Sequence, residues 1–507
     1  MIIVGAYPDQ VIMGNHTSSA PTLMNLKNVI NAILPCEIAL HVLPFYHSCG
    51  DGGFAITDWD IVEAEFGRWE DVDNIASNRK VIIDGVFNHL GMEHKFVKML
   101  MEEPDRYSHL FHVNPCDGID SPRGVKSNCK LVTVNGPIIV RKTHSQITID
   151  VNLEDSEIQE YISKFISLAS NHKVYGVRLD AVAYYKKGTR LRHNEGSYEL
   201  ANHIASMVKN YGLHVIAQID ADAEGKKYFR DSGFEDVVIY DFGYSAALSL
   251  AIGEKNPCEL AGFLQTNHDV KRPLIRAPRT HDGILIRSGT LSPHQVKKVV
   301  ELATRLGIPI REANGMPYEL NCSLPFLIQN TCPLYQDEML EMTIVLTGIL
   351  NSIPYFYLPF LVGFVPENLQ SFSLPKRFSQ DDPRTLNRIP FNWNDVCQTK
   401  FVKNRLPHIL EILIVIHKLY ETELISEKAK VSTIVNKLLR VITAGGVIDG
   451  VFNFSEAKVL IPFSHNQNDW TLYSNRLNAE FLEPGGYSIW VKQKTIKNPI
   501  IGEKVEL

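Results

Sequence analysis

The chain has 507 residues, of which 45% are hydrophobic and 21% charged. These are the proportions of a folded globular protein and exclude disordered and fibrous classes; the length calls for one large domain with additions. Lys plus Arg number 51 and Asp plus Glu 57, a net charge of −6 without a basic block, which argues against nucleic acid or an anionic membrane as the main partner.

In chain order, the N-terminal segment MIIVGAYPDQVIMGN has no basic stretch followed by a long apolar core, so no signal peptide is expected. Ile38 to Pro44 and Lys80 to Phe87 read as buried strands. Glu154 to Asn171 carries apolar residues at Ile158, Tyr161, Ile162, Phe165, Ile166 and Ala169. That is one helical face, with Asp155 or Ser156 placed to cap it. A strand over Gly176 to Ala181, a helix from about Ser197 to Tyr211 and a strand over His214 to Ile219 follow. Repeated strand–helix–strand units predict a parallel sheet covered by helices. At this length the leading arrangement is an α/β fold of the (β/α)8 TIM-barrel type, with a doubly wound sheet as the second. Val345 to Pro366 is the most apolar stretch, but Asn351, Ser352, Pro354 and Pro359 interrupt it. It reads as a buried helix and strand rather than a membrane span.

The expected division is a barrel over 1–89, 151–286 and 336–440, an inserted domain over 90–150, a second insert over 287–335, and a C-terminal β-sandwich over 441–507. Both inserts look loop-rich and weakly periodic, and both follow strand ends, where barrel loops build active sites. The eight cysteines, at 36, 49, 116, 129, 258, 322, 332 and 397, include no CxxC pair. They read as free thiols of a reducing cytoplasm, with no zinc site.

Three polar clusters fall at expected strand ends: Asp84 to His89, Gly176 to Ala181 and Arg279 to Gly283. Any one alone reads equally well as strand-end caps. Arg178 and Asp180 are two apart, so on a strand they share a face, and the guanidinium favours an ionised carboxylate.

With these clusters on hand, the chain resembles the α-amylase superfamily, glycoside hydrolase family 13, and within it the sucrose phosphorylase branch. The resemblance is carried also by His41 to Phe45, Gly50 to Phe54, Phe66 to Asp71, Thr280 to Ile284 and Thr385 to Arg388. It implies retaining α-glucosyl transfer by double displacement, with a glucoside and phosphate giving α-glucose 1-phosphate. Asp180 matches the nucleophile and Asp282 the transition-state stabiliser. Asp51 and Arg388 match a pair holding the far hydroxyls of a glucosyl unit, and Phe54 an aromatic platform beneath it. His89, Arg178 and His281 match the rest of that pocket, with both histidines expected to hydrogen-bond sugar hydroxyls. No metal or organic cofactor is expected. The partners implied are an α-glucoside or α-glucose 1-phosphate, and phosphate; oligomeric state is not readable.

One position departs from the family. Its acid/base glutamate ends the fifth barrel strand, where this chain has Gln218. An amide donates a hydrogen bond but gives up no proton at working pH. The flanking residues differ too, which favours natural divergence over a single engineered change. Three readings stand: an engineered change that traps a substrate complex, a natural sugar-binding protein without normal turnover, or a substitute acid from a neighbour, Asp220, with Asp222 and Glu224 following; Asp220 and Asp222 read equally well as solvated loop residues. An α-glucosidase-type hydrolase is the remaining alternative. On the acceptor side, Gly283 to Pro293 looks shorter than in sucrose phosphorylases and closer to relatives that use glucosylglycerate. Pro122-Arg123-Gly124 is a candidate phosphate loop.

Overall fold

The computed structural model describes residues 1–13, 22–114, 128–189, 192–219, 238–266, 274–286, 291–313, 315–350, 352–366, 377–379, 382, 384–421, 430–434, 437–443, 446–463, 465, 470–475, 477–478 and 481–492. Eight parallel strands close into a barrel. They are β1 Ile3–Ala6, β2 Ala39–Val42, β3 Val81–Gly85 and β4 Gly176–Leu179. The ring continues with β5 His214–Ala217, β6 Val238–Tyr240, β7 Leu274–Arg276 and β8 Ile353–Tyr357. Each pairs with its neighbour in chain order, and β8 closes on β1 with Tyr355 opposite Ile3. The first four are buried along their whole length, which is why they read as continuous apolar runs rather than alternating ones.

Period-two geometry divides these strands between two cores. Ile3, Ala39, Ile82, Ile216, Ile275 and Tyr355 pack together in one cluster. Their sequence neighbours, such as Val4, Leu40, Val81, Ile83 and Val215, join the larger core that also contains the helical residues. Helix Ser156–Asn171 buries the predicted face, and the Asp155 carboxylate caps it by accepting from Glu157 N and Ile158 N. Helices Phe242–Glu254 and Gln336–Ile349 are instead buried almost throughout. The second insert packs on the former, and helix Leu406–Glu421 and the C-terminal sheet pack on the latter. The apolar stretch from Val345 resolves as expected into the end of a helix, then β8. Among the described residues no helix is long and apolar enough to cross a membrane.

The first insert is closed at its base where His89–Gly91 pairs with Thr148–Asp150, His89 opposite Asp150. It carries a hairpin of Asn128–Thr133 and Gly136–Arg141. The second insert is more regular than expected. It contains a 14-residue helix, Pro293–Leu306, whose Ser292 and Gln295 form a reciprocal cap. That Ser-Pro-x-Gln start is a helix signal the Pro- and Gly-rich surroundings obscured. Its sheet also starts before 287: Ile284–Leu285 pairs with Met316–Leu320, which pairs with Ile310–Ala313.

The C-terminal region holds a five-stranded and a three-stranded sheet. The boundary expected at 441 falls inside a strand, because Lys430–Ile434 and Leu438–Ile442 already pair as the first two strands of the larger sheet. The short apolar runs there resemble a continuation of helix Leu406–Glu421, and cross-strand pairing overrides that local pattern.

Candidate active site

A pocket opens at the C-terminal ends of the barrel strands, lined by Asp51, Phe54, His89, Asp180, Gln218, Asp282 and Arg384 among others. This is the face on which barrels of this type build catalytic sites. Two lining residues adopt left-handed backbone without being glycine: Asp51 at φ 52° and Ala181 at φ 49°. Such conformations cost free energy and cluster at functional sites.

Asp180 follows β4 directly, and its N–H continues the ladder to Gly85 O at 3.1 Å. Beneath it, Arg178 is fully enclosed and acts as a hub. Its Nη1 donates to the Asp84 carboxylate and to Asp180 Oδ1 (3.2 Å), and its Nη2 donates to Gln218 Oε1 (2.7 Å). Asp84 in turn bonds His41 Nε2 at 3.0 Å, and His41 Nδ1 lies 3.1 Å from the Tyr355 hydroxyl. Burial pushes the Asp84 carboxyl up, but Arg178 and His41 outweigh it and hold it down at about 2. Burial opposes the charge on Arg178 too, yet Asp84, Tyr240 and Asp180 raise its pKa well above the usual guanidinium value.

Asp282 stands beyond β7, three strands round the ring from β4. Arg388 Nη2 donates to its Oδ1 at 2.9 Å and Arg384 Nη1 at 3.4 Å, while Arg279 donates to its backbone oxygen. Arg384 Nη2 also donates to Asp51 Oδ1 at 2.6 Å. Gly52, at φ 66°, lies so close to the Arg388 guanidinium that a Cβ there would collide with it. Phe54 and His281 stack with ring centroids 5.3 Å apart and planes 9° apart.

Gln218 sits at the end of β5. Its Oε1 accepts from both Arg178 Nη2 and Ala181 N (3.2 Å). Two donors at one atom fix the amide's orientation, so the NH2 is the half that remains for the pocket.

Residues 37–272 match the catalytic domain of alpha-amylase. A glucosylglycerate phosphorylase from Allomeiothermus silvanus is 25% identical to the chain over 410 residues, 76% of this chain and 72% of that protein. A sucrose phosphorylase from Bifidobacterium adolescentis is 27% identical over 266 residues, 48% of this chain and 51% of that protein. The crystal structure of sucrose 6F-phosphate phosphorylase from Thermoanaerobacter thermosaccharolyticum superposes with a TM-score of 0.74 at 18% identity, covering 89% of this chain and 92% of that one. That last agreement concerns the fold.

The residues singled out from sequence converge in this structure. Asp51, Phe54, His89, Asp180, Gln218 and Asp282 line the pocket, and Arg178, His281 and Arg388 lie buried against them. Both His281 ring nitrogens are buried without a hydrogen bond, and Nε2 lies 3.4 Å from Asp282 Oδ2. Burial lowers the histidine's pKa to about 3, so it is neutral, with one donor and one acceptor. His89 differs from expectation. Its Nε2 bonds Phe54 O at 3.1 Å and its Nδ1 bonds the Asn88 side chain. Both nitrogens are engaged within the protein, so in this structure neither is left for a hydroxyl. Burial lowers its pKa to about 4.

Sequence reasoning missed Arg384, Tyr318 and Glu319, all lining the pocket. Arg384 lies four residues before Arg388, a spacing that signals a shared face on helix Thr385–Arg388 and its N-cap. Tyr318 and Glu319 had no local signal. Asp220, Asp222, Glu224, Pro122-Arg123-Gly124 and residues 287–290 lie outside the described residues.

Proposed function

We propose that this chain transfers an α-glucosyl unit with retention, through a covalent intermediate on Asp180, and that phosphate is the second acceptor. The reaction is then glucoside plus phosphate to α-glucose 1-phosphate. The observation that carries this reading is the pair of arginine-bonded carboxyls, Asp180 and Asp282, sharing a pocket with a carboxamide at Gln218. In the first step Asp180 attacks C1, the C1–O bond breaks, and Asp282 stabilises the oxocarbenium-like charge. In the second step an acceptor oxygen attacks C1 and Asp180 leaves as carboxylate.

Gln218 decides which donors and acceptors suit this site. A sugar alkoxide needs a proton to leave, an effect of about 10²–10⁴-fold, and Gln218 supplies only a hydrogen bond. Phosphate leaves and attacks as an anion. Exchange between α-glucose 1-phosphate and phosphate therefore needs no acid at 218, whereas sucrose cleavage requires a proton from another group of the pocket. Water as acceptor needs a base to become nucleophilic, so the same amide weighs against the hydrolase reading. The phosphorylase names of the relatives support the phosphate acceptor. The seven described cysteines are free, which supports the cytoplasmic location expected.

The test is isotope exchange between labelled inorganic phosphate and α-glucose 1-phosphate, with intact-mass detection of a glucosyl adduct on Asp180. Exchange that Asp180→Asn abolishes supports the reading; absence of both exchange and adduct sinks it. Gln218 also favours a second reading, sugar binding with little turnover. Calorimetric binding of glucosides without any exchange would select it.

A further inference from the structure

The pocket holds one more carboxyl than the glucosyl-transfer reading uses. Glu319 lines it together with Asp282, Gly283 and Tyr318. It is carried by the second insert, on strand Met316–Leu320, and pairs opposite Leu285 just past Asp282. A buried glutamate of this kind often serves only as a cap, and one oxygen does so: Gly283 N–H donates to Oε1 at 2.5 Å. The approach is so close that a Cβ at Gly283 would collide with the carboxyl.

The other half of the carboxyl is not accounted for by capping. Among the described residues, Oε2 has no hydrogen-bond or ion-pair partner, although the side chain is only 3% exposed. Oε2 is not one of the buried side-chain oxygens cut off from solvent, so it keeps access to the pocket that Glu319 lines. Its place in the ring also suits proton transfer. β4, which carries Asp180, and β7, whose following loop holds Asp282 and Gly283, are separated by β5 and β6. Nucleophile and Glu319 thus approach the pocket from different sides, as the two carboxyls of a retaining site do.

We propose that Glu319 exchanges the proton with leaving group and acceptor in this pocket, the role Gln218 does not fill. This rests on the glucosyl-transfer reading above. In the first step the glucoside C1–O bond breaks, Asp180 forms an ester to C1, and the Glu319 proton passes to the leaving oxygen. In the second step a hydrogen phosphate oxygen attacks C1. The ester bond breaks with its electron pair returning to Asp180, and the phosphate proton passes to Glu319, which restores the acid.

The experiment measures phenol or fluoride release at saturating phosphate. The donors are aryl α-glucosides of graded phenol acidity and α-glucosyl fluoride, and the proteins are the parental chain, Glu319→Gln and Glu319→Asp. The parental rates should depend weakly on phenol acidity. Glu319→Gln should lose about 10²–10⁴-fold on the least acidic phenols, far more than on the fluoride, and should lose the alkaline limb of the pH–rate profile. Glu319→Asp should recover part of both. Equal losses on every donor, a change confined to the acceptor KM, or a parental chain already steeply dependent on phenol acidity would overturn the assignment. A parental chain that releases no fluoride at all overturns the glucosyl-transfer reading itself, which separates the two failures.

Discussion

The two halves of the pocket are built differently. The half around Asp51, Asp180 and Asp282 stands on barrel strand ends and their loops, and its carboxylates are each matched by buried arginines: Arg384, Arg178 and Arg388 respectively. The half around Gln218, Tyr318 and Glu319 has a neutral amide where a proton donor is expected, and its one carboxyl comes from an insert hairpin. On the proposed reading the first half is a preorganised charge set for a glucosyl unit. The second would govern leaving group and acceptor, and there Gln218 departs from the pattern of the family the chain resembles. Binding of the sugar and transfer of the proton would then be separable functions of this site.

The largest expected effect breaks the first half. Asp180→Asn should lower phosphate exchange into α-glucose 1-phosphate by about 10⁴-fold or more, as loss of a nucleophile does elsewhere, while calorimetry still detects glucoside binding. Retained exchange would remove Asp180 from the chemistry.

The next sharpens the second half. Gln218→Glu installs a carboxyl at the end of β5. In the Glu319→Gln background it should raise sucrose phosphorolysis by about 10²–10⁴-fold, and by less in the parental chain, where a donor is already present. Arg178 Nη2 and Ala181 N–H both donate to this position, which lowers the pKa of a carboxyl placed there. The gain should thus be largest toward acidic pH. A gain that grows with alkalinity contradicts this.

Stability should also distinguish the halves. Asp84→Ala leaves the enclosed Arg178 without its closest carboxylate, and breaking such a buried pair costs about 3–5 kcal/mol. Glu319→Gln keeps an acceptor for Gly283 N–H and should cost much less. Urea unfolding of both variants checks the ranking.

A last effect is in acid. His281 and His89 are held down by burial to about 3 and about 4. Below the ordinary value of about 6.5 the unfolded chain takes up protons that the fold refuses. Stability should therefore fall as pH drops from about 6.5 toward 4, by up to about 1.4 kcal/mol per pH unit for each histidine. Asp84, held low, adds a further loss only below about pH 4, as its carboxyl protonates on the way to about 2. Urea midpoints at pH 7, 5.5 and 4.5 measure the slope, and His281→Asn should reduce it.

Much of this architecture was legible in one dimension, for identifiable reasons. Buried parallel strands are continuous apolar runs, and amphipathic helices such as Ser156–Asn171 carry their own face and cap, so local periodicity alone predicts the alternating units and hence the barrel. Arg178 and Asp180 were legible as a pair because a spacing of two puts them on one face of a strand, whereas the roles expected of Asp180 and Gln218 came from the resemblance to a known family. Regions without simple periodicity were misjudged, as the helix Pro293–Leu306 and the early start of the C-terminal sheet show.

The partners of the charged groups belong to tertiary structure. Arg384 meets Asp51 across 333 positions, and Glu319 reaches Gly283 because one insert strand pairs with the short strand after Asp282. No spacing rule encodes such contacts, since they follow from how distant loops and the second insert meet over the barrel mouth. The sequence by itself determined the barrel, the acids at its strand ends and the amide at 218. Only the packed structure decided that both His89 nitrogens are occupied, that His281 Nε2 faces Asp282, that the Gln218 oxygen is already taken, and that Glu319 stands in the same pocket. Local periodicity follows from neighbouring residues, whereas hydrogen-bond partners and burial follow from the whole chain.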